Sequence, residues 1–239
     1  RWELALSLLG SMPQVRVEPG VFSFNGVISA CEKGGQWRCA LALLASMARL
    51  RTSPDIVSCN AAISACEKAD RWDLALALLG SMPVFRVTPN VVSYSAAISA
   101  CETIRQWRIA LVLLRSMLGL RVLPNVISCS AAISACEKAG QWHLALELLA
   151  LMSKLCVKPT TACVNGAISA CRGSGEWRSA LALLNSIPKL RISPDVTSCS
   201  AAIAACERAK EGEALSGLLA HLGGCAWALT SQLLLARSR

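Results

Sequence analysis

The sequence predicts an all-α array of stacked helix-turn-helix hairpins, and three columns of residues predict it. Trp2, Trp37, Trp72, Trp107, Trp142 and Trp177 fall 35 residues apart. Pro19, Pro54, Pro89, Pro124, Pro159 and Pro194 keep that spacing, as do Cys31, Cys66, Cys101, Cys136, Cys171 and Cys206. A period of this length marks supersecondary units that bury their apolar faces only by stacking on one another. The continuous core of such an array accounts for 54% hydrophobic residues in a chain of 239. Lys, Arg, Glu or Pro interrupts every apolar stretch before the ~18 residues of a membrane span.

The unit from Ile56 to Asn90 shows each element in turn. Cys59, Ala62, Ile63 and Cys66 stand at i, i+3, i+4 and i+7, one apolar helix face. Ala69-Asp70 then makes a short polar break, where Gly34-Gly35, Gly140 and Gly173-Ser174-Gly175 stand in other units. Trp72, Ala75, Leu76, Leu79 and Met82 give a second amphipathic helix. Pro83 can end it, and Pro89 restricts its predecessor and separates this unit from the next.

In this register residues 1–20 are a lone second helix and its tail, and 21–55, 56–90, 91–125, 126–160 and 161–195 are five complete units. A sixth, 196–239, keeps its first helix from Val196 to Arg208 and then degenerates, with Gly212 in place of Trp and no pattern from Leu218 to Arg239. That tail is either a capping helix or a sequence running past the ordinary coding frame. Arg1 enters in mid-unit, so the natural chain is expected to begin upstream.

A net charge of +9 points toward polyanionic partners. The thirteen cysteines do not form a disulfide framework. The periodic six stand one per unit, and packed helices lie about 8–10 Å apart, beyond disulfide reach. No Cys-x-x-Cys pair exists, and His143 and His221 belong to no metal spacing, so no cofactor, metal or enzymatic activity is expected. The thiols read as buried and reduced.

The unit Val-x-Ser-Tyr-x-Ala-x-Ile-Ser-Ala-Cys-Glu-Lys-x-Gly-x-Trp-x-x-Ala-Leu-x-Leu-Leu-x-x-Met, ending in Pro-Asn or Pro-Asp, resembles the pentatricopeptide repeat over roughly residues 1–210. The tetratricopeptide repeat fits less well, since its period is 34 and its Trp lies in the first helix. The resemblance implies a right-handed α-solenoid whose first helices bind single-stranded RNA, one base per repeat, in a plastid or mitochondrion. It also implies that the fifth and last residues of a repeat read the base. Those pairs are Asn25/Asp55, Asn60/Asn90, Ser95/Asn125, Ser130/Thr160 and Asn165/Asp195, and Ser200 begins a sixth with Thr230. Second-position side chains, Phe22, Val57, Val92, Ile127, Ala162 and Thr197, would sandwich the bases, with Ala162 and Thr197 the poorer walls. Lys33, Lys68, Lys138 and Arg208 match the phosphate-contacting position, from which Thr103 and Gly173 depart.

The chemistry of these pairs is self-consistent. Uracil and guanine carry a protonated ring nitrogen on the pairing edge, which suits the acceptors Asp55 and Asp195. Adenine and cytosine show a bare ring nitrogen, which suits the amide donors Asn90 and Asn125. A short Ser leaves room for a purine and Asn reaches a pyrimidine, so the expected target is 5′-U, C or U, A, a purine, U-3′. Thr160 leaves the fourth base poorly defined because a hydroxyl both donates and accepts.

Simpler roles compete with each assignment. Helix capping explains Asp55, Asn90, Asn125 and Asp195 in part, but not the Asn and Ser four or five residues further on, inside the helix where neither is a good former. The lysine column is equally well a solvated face. The Trp column is in phase with the leucines and is expected to be core rather than a base platform. His-x-Glu with a later Cys-x-x-Cys, the deaminase signature fused to some such arrays, is absent from the sequence. The expectation is thus a non-catalytic RNA-binding array with a separate processing or editing factor as a further partner, and without membrane or small-molecule substrate. The rival is a helical scaffold that holds a peptide in its groove.

Overall fold

The computed structural model describes residues 1–187 and 195–209. Thr230, Pro194 and the degenerate end of the sixth unit lie outside them. Twelve α-helices occur among the described residues, and no strand does. They are α1 (Trp2–Ser11), α2 (Val21–Lys33), α3 (Trp37–Arg49), α4 (Ile56–Lys68), α5 (Trp72–Ser81), α6 (Val91–Thr103), α7 (Trp107–Gly119), α8 (Val126–Lys138), α9 (Trp142–Lys154), α10 (Thr161–Ser174), α11 (Trp177–Ser186) and α12 (Val196–Ala209). A 3₁₀ turn, Met12–Val15, follows α1. The chain is an all-α stack of hairpins in two compact units, residues 1–128 and the remainder from Cys129.

In the first unit α2, α4 and α6 pack side by side as an inner row, and α1, α3 and α5 each pack against the following inner helix. In the second, α10 packs on α9, α11 and α12. Small residues allow this close approach. Ala62, Ala65, Cys66, Ala97, Ala100 and Cys101 are 0% exposed, with Ile63 and Ile98 wedged between them at 0%. The outer helices contribute Ala75, Leu79 and Met82, or Ala110, Leu114 and Met117, all buried. Burial pushes the thiols of Cys66, Cys101, Cys136 and Cys171 up to about 11, so they pack as small apolar groups rather than react.

Two turns connect the hairpins, and both close the same way. After the inner helices the Gln36, Arg71, Gln106, Gln141 and Glu176 N–H groups donate back to the carbonyls of Cys31, Cys66, Cys101, Cys136 and Cys171 at 2.8–3.0 Å. After the outer helices Val17, Thr52, Val87, Val122 and Val157 donate to Met12, Met47, Met82, Met117 and Met152 at 2.8–3.0 Å. This six-to-one bond requires a left-handed residue just before the donor. Gly35, Asp70, Arg105, Gly140 and Gly175 take it in the first kind of turn; Arg16, Arg51, Arg86, Arg121 and Cys156 take it in the second.

The inner helices begin with a second recurring device. Asp55 and Asn90 each accept the N–H of the residue three on, Ser58 and Ser93, whose hydroxyls accept the cap residue's own N–H. Asn125 with Ser128 and Asp195 with Ser198 repeat it. At the start of α10 both partners change, to Thr160 and Cys163, and the side-chain cap is lost. The recurring Ser58, Ser93, Ser128 and Ser198 carry this signal in the sequence; only the Asp/Asn half of the box was anticipated there.

Candidate nucleic-acid interface

The fifth and last residues of a hairpin, 30 positions apart, meet at the start of the inner helices. Asn25 Nδ2 donates to both carboxylate oxygens of Asp55, at 3.1 and 2.9 Å. Asn60 Nδ2 donates to Asn90 Oδ1 at 3.4 Å, and Ser95 Oγ to Asn125 Oδ1 at 3.2 Å. Asn165 Nδ2 donates to Asp195 at 3.1 and 3.0 Å. Among the described residues no hydrogen bond joins Ser130 to Thr160, whose hydroxyl lies 3.3 Å from Cys163 Sγ instead. Ser200 donates to the Thr197 carbonyl at 3.0 Å.

Capping and pairing share the same side chains, and the sharing fixes which atom remains. Asn90 Oδ1 accepts from the N–H groups of Val92 and Ser93 at 3.0 and 3.1 Å. Asn125 Oδ1 accepts from Ser128 N–H at 2.9 Å. The helix start offers only donors, so the amide oxygen must face it and Nδ2 is left over. Asp55 Oδ1 takes Val57 and Ser58 N–H in the same way, at 3.0 and 2.9 Å, leaving Oδ2 with Asn25 alone. An Asn here therefore presents a donor and an Asp an acceptor. Of the position-five residues Asn25 and Ser95 are buried, at 8% and 5% exposed, Asn60, Ser130 and Asn165 are half-buried, and Ser200 is exposed. Asn25, Asn60, Ser95 and Asn165 brace the last residue through these bonds. Asn25 Oδ1 and Asn165 Oδ1 are buried without a partner.

Burial by itself would raise the Asp55 carboxyl. Hydrogen bonds from the Ser58 backbone and hydroxyl, the Asn25 amide and Val57 N–H outweigh it, and the pKa falls below the ordinary 3.8. Asp195 is lowered against the same burial by Thr197, the Ser198 backbone and hydroxyl, and Asn165. A carboxyl depressed on folding gives stability that is complete above its unfolded value and disappears as pH falls through the folded one. Thermal melts between pH 7 and pH 2 should therefore show an acid loss that shrinks in Asp55→Asn/Asp195→Asn, which keeps both caps. Parallel curves for the two proteins would contradict the assignment.

The second-position column is an exposed apolar stripe: Phe22 is 91% exposed, Ile127 61%, Val92 50% and Val57 49%. Ala162 is exposed too, while the exposed Thr197 turns its hydroxyl to Asp195 at 2.6 Å and receives Asn165 Nδ2 at 2.5 Å. It thereby joins the Asn165–Asp195 pair. Lys33, Lys68, Lys138 and Arg208 are all exposed at the far ends of the inner helices. Lys68 Nζ bonds Glu32 at 2.8 Å across the hairpin boundary. A row of glutamates thus flanks the lysines. Burial raises Glu67, Lys68 opposes, Glu32 and Glu102 add to the rise, and a hydrogen bond with Ser99 lowers it. The tryptophans are half-buried rather than core: Arg38, Arg108 and Arg178 lie 5.1–5.2 Å over the neighbouring Trp37, Trp107 and Trp177, and Arg71 lies 4.8 Å over Trp37. No group of three metal-ligating side chains and no helix long and apolar enough to cross a membrane occur among the described residues.

Family profiles follow the same hairpins. The PPR repeat profile matches residues 22–51, the PPR repeat family profile 54–103, and the pentatricopeptide repeat domain profile 112–174, together more than half of the chain. The chain belongs to the pentatricopeptide repeat family. Solved structures agree on the fold. The maize pentatricopeptide repeat protein PPR10 is 22% identical with a TM-score of 0.70, over 94% of this chain and 32% of that one. PPR10 bound to an 18-nucleotide psaJ RNA element gives 20% identity, a TM-score of 0.64 and coverage of 95% and 32%. The pentatricopeptide repeat domain of Arabidopsis thaliana protein-only RNase P 1, in complex with tRNA, gives 17% and 0.64, over 72% of this chain and 90% of that domain. The chain spans about a third of the PPR10 structure. No curated protein matches it.

Proposed function

We propose that this pentatricopeptide repeat chain binds single-stranded RNA, each of the repeats 21–55, 56–90, 91–125, 126–160 and 161–195 reading one base. The observation that carries this is the spare polar atom left on the last residue of a repeat: an acceptor on Asp55, a donor on Asn90 and Asn125. PPR10 holds an RNA element on the same fold. The exposed stripe of Phe22, Val57, Val92 and Ile127 supplies apolar faces between which bases insert, each stacked base giving about 1–3 kcal/mol. The proposed target is 5′-U, C or U, A, a purine, U-3′, with the fourth repeat weakest because Ser130 and Thr160 do not pair. Binding would act by occupancy in a plastid or mitochondrion, excluding nucleases, opening RNA structure, or guiding a separate processing or editing factor.

Fluorescence anisotropy with UCAAU-centred RNA against a shuffled oligonucleotide tests this. Preference for UCAAU supports base readout; equal, salt-sensitive binding to both leaves only a basic surface. Three or four phosphate contacts give a log–log salt slope of about −2 to −3. Lys33→Ala should reduce that slope by about 0.7. Lys68→Ala should reduce it less, because Glu32 already shares that charge. Equal slopes in the two variants would remove the Lys68–Glu32 pair from the account.

A further inference from the structure

The exposed large apolar residues outside the base-facing stripe are concentrated at one edge of the first unit. Val15, Val17, Leu50, Val84, Leu120 and Leu123 lie on the turns from an outer to the next inner helix, and Val15, Val84 and Leu123 are 68–80% exposed; Leu4, Leu8, Val112 and Leu118 lie on outer helices. Arg16, Arg51, Arg86 and Arg121 interleave with them, all exposed, one per turn. Grooves open between successive turns at equivalent positions. One, about 540 Å³, is lined by Pro13, Arg16 and Leu50 among others; its counterpart two hairpins on, about 830 Å³, has Pro83, Arg86 and Leu120 in the same places. These volumes accept apolar side chains.

The arginines are held where glycine would be cheaper. All four have φ between 56° and 59°, and a left-handed residue with a Cβ costs roughly 1–2 kcal/mol. A cation at a helix C-terminus recovers about 0.3–1 kcal/mol. That return does not dictate Arg, since the turns after the inner helices also close on helix C-termini and carry Gly35, Asp70, Arg105, Gly140 and Gly175 at the same position, Arg in one of five. The four turns 12–20, 47–55, 82–90 and 117–125 hold five arginines against Glu18 and Asp55, and Asp55 is committed to its cap.

We propose that this edge docks an acidic amphipathic segment of a partner protein, its apolar side chains in the grooves and its carboxylates on Arg16, Arg51, Arg86 and Arg121. Aliphatic walls with bidentate cations between them suit such a peptide. A nucleic-acid strand wants aromatic platforms, and Phe85 is the one aromatic side chain among these turns, half-buried. Arg51, Arg86 and Arg121 stand four residues before Asp55, Asn90 and Asn125 on the same turns, so RNA binding is measured beside peptide binding.

The test uses the 239-residue chain and three fluorescein-labelled synthetic peptides: one of Glu interleaved with Leu and Phe, one with every Glu replaced by Gln, and one with every Leu and Phe replaced by Ser. The first should bind at least about tenfold more tightly than the other two, since both charge and apolar anchors are engaged. Arg16→Gly/Arg51→Gly/Arg86→Gly/Arg121→Gly should lose about tenfold of that affinity, keep or raise its melting temperature, and bind UCAAU RNA within about twofold of wild type. An Arg→Lys set keeps charge but not the fork and should fall between. Equal binding of all three peptides, no binding, or an unchanged affinity in the Gly variant overturns the proposal. A loss of RNA affinity matching the peptide loss overturns it too, and assigns the arginines to the RNA path.

Discussion

Asn125→Asp is expected to exchange adenine for guanine at the third base, moving the ratio of affinities for UCGAU over UCAAU by about 10–100-fold or more. Asn125 Oδ1 caps the next helix through Ser128 N–H at 2.9 Å and accepts Ser95 Oγ at 3.2 Å. A carboxylate repeats both bonds, and its charge at a helix N-terminus adds about 0.3–1 kcal/mol. The helix start and the brace therefore survive, and the change is confined to the remaining atom. In the proposed readout that atom is a donor that would face the bare N1 of adenine; in the variant it is an acceptor. It meets the N1–H of guanine but opposes a lone pair on adenine, leaving polar groups unpaired at about 1–3 kcal/mol, and 1.4 kcal/mol is tenfold. Because the preference reverses, the losses at adenine and gains at guanine both enter the ratio. Anisotropy with both oligonucleotides checks it, with a thermal melt as control. An unchanged ratio in a variant that melts at or above wild type would sink the one-base readout.

Much of this was legible in the sequence because the period repeats each constraint. Trp, Pro and Cys at 35-residue intervals fixed the hairpins and placed the start of each inner helix, and the Asn, Asp and Ser columns marked two positions that do meet in space. What periodicity could not show was how far a side chain stands from water. The Trp column shares the leucine phase, yet Trp37 is only half-buried and stacks with Arg38 and Arg71. The Lys68 column reads as a phosphate contact or a solvated face, but the bond of Lys68 to Glu32 joins residues 36 apart that no single-helix pattern connects. Capping and readout had seemed to be competing explanations of the last residue. Capping and the proposed readout fit one arrangement: the cap consumes one side-chain oxygen, and that consumption decides what the other atom can offer. The arginine edge is not legible in the sequence because a left-handed residue leaves no apolar period.

Ile98→Ala should destabilise the first unit by about 2–5 kcal/mol, and more severely than Ile28→Ala, although both side chains are fully buried. The direct loss is similar at the two sites, a cavity in a row of small Ala and Cys neighbours that are already close-packed and cannot collapse far. The difference lies in how the array responds. Ile98 stands on α6, which packs on α4, α5 and α7, so unfolding its hairpin removes the support of helices on both sides. Ile28 stands on α2, whose neighbour α1 has no buried residue. The α1–α3 segment can open while the rest stays folded, at the free energy of a single interface. Urea unfolding followed by hydrogen exchange separates the cases. Ile98→Ala should shift the main transition of α4 to α7 to lower urea, whereas Ile28→Ala should release an early transition confined to residues 1–49 and leave the main one near wild type. A single transition displaced equally by both substitutions would mean that the unit folds as one cooperative block, and that the nearest-neighbour account of its stability fails.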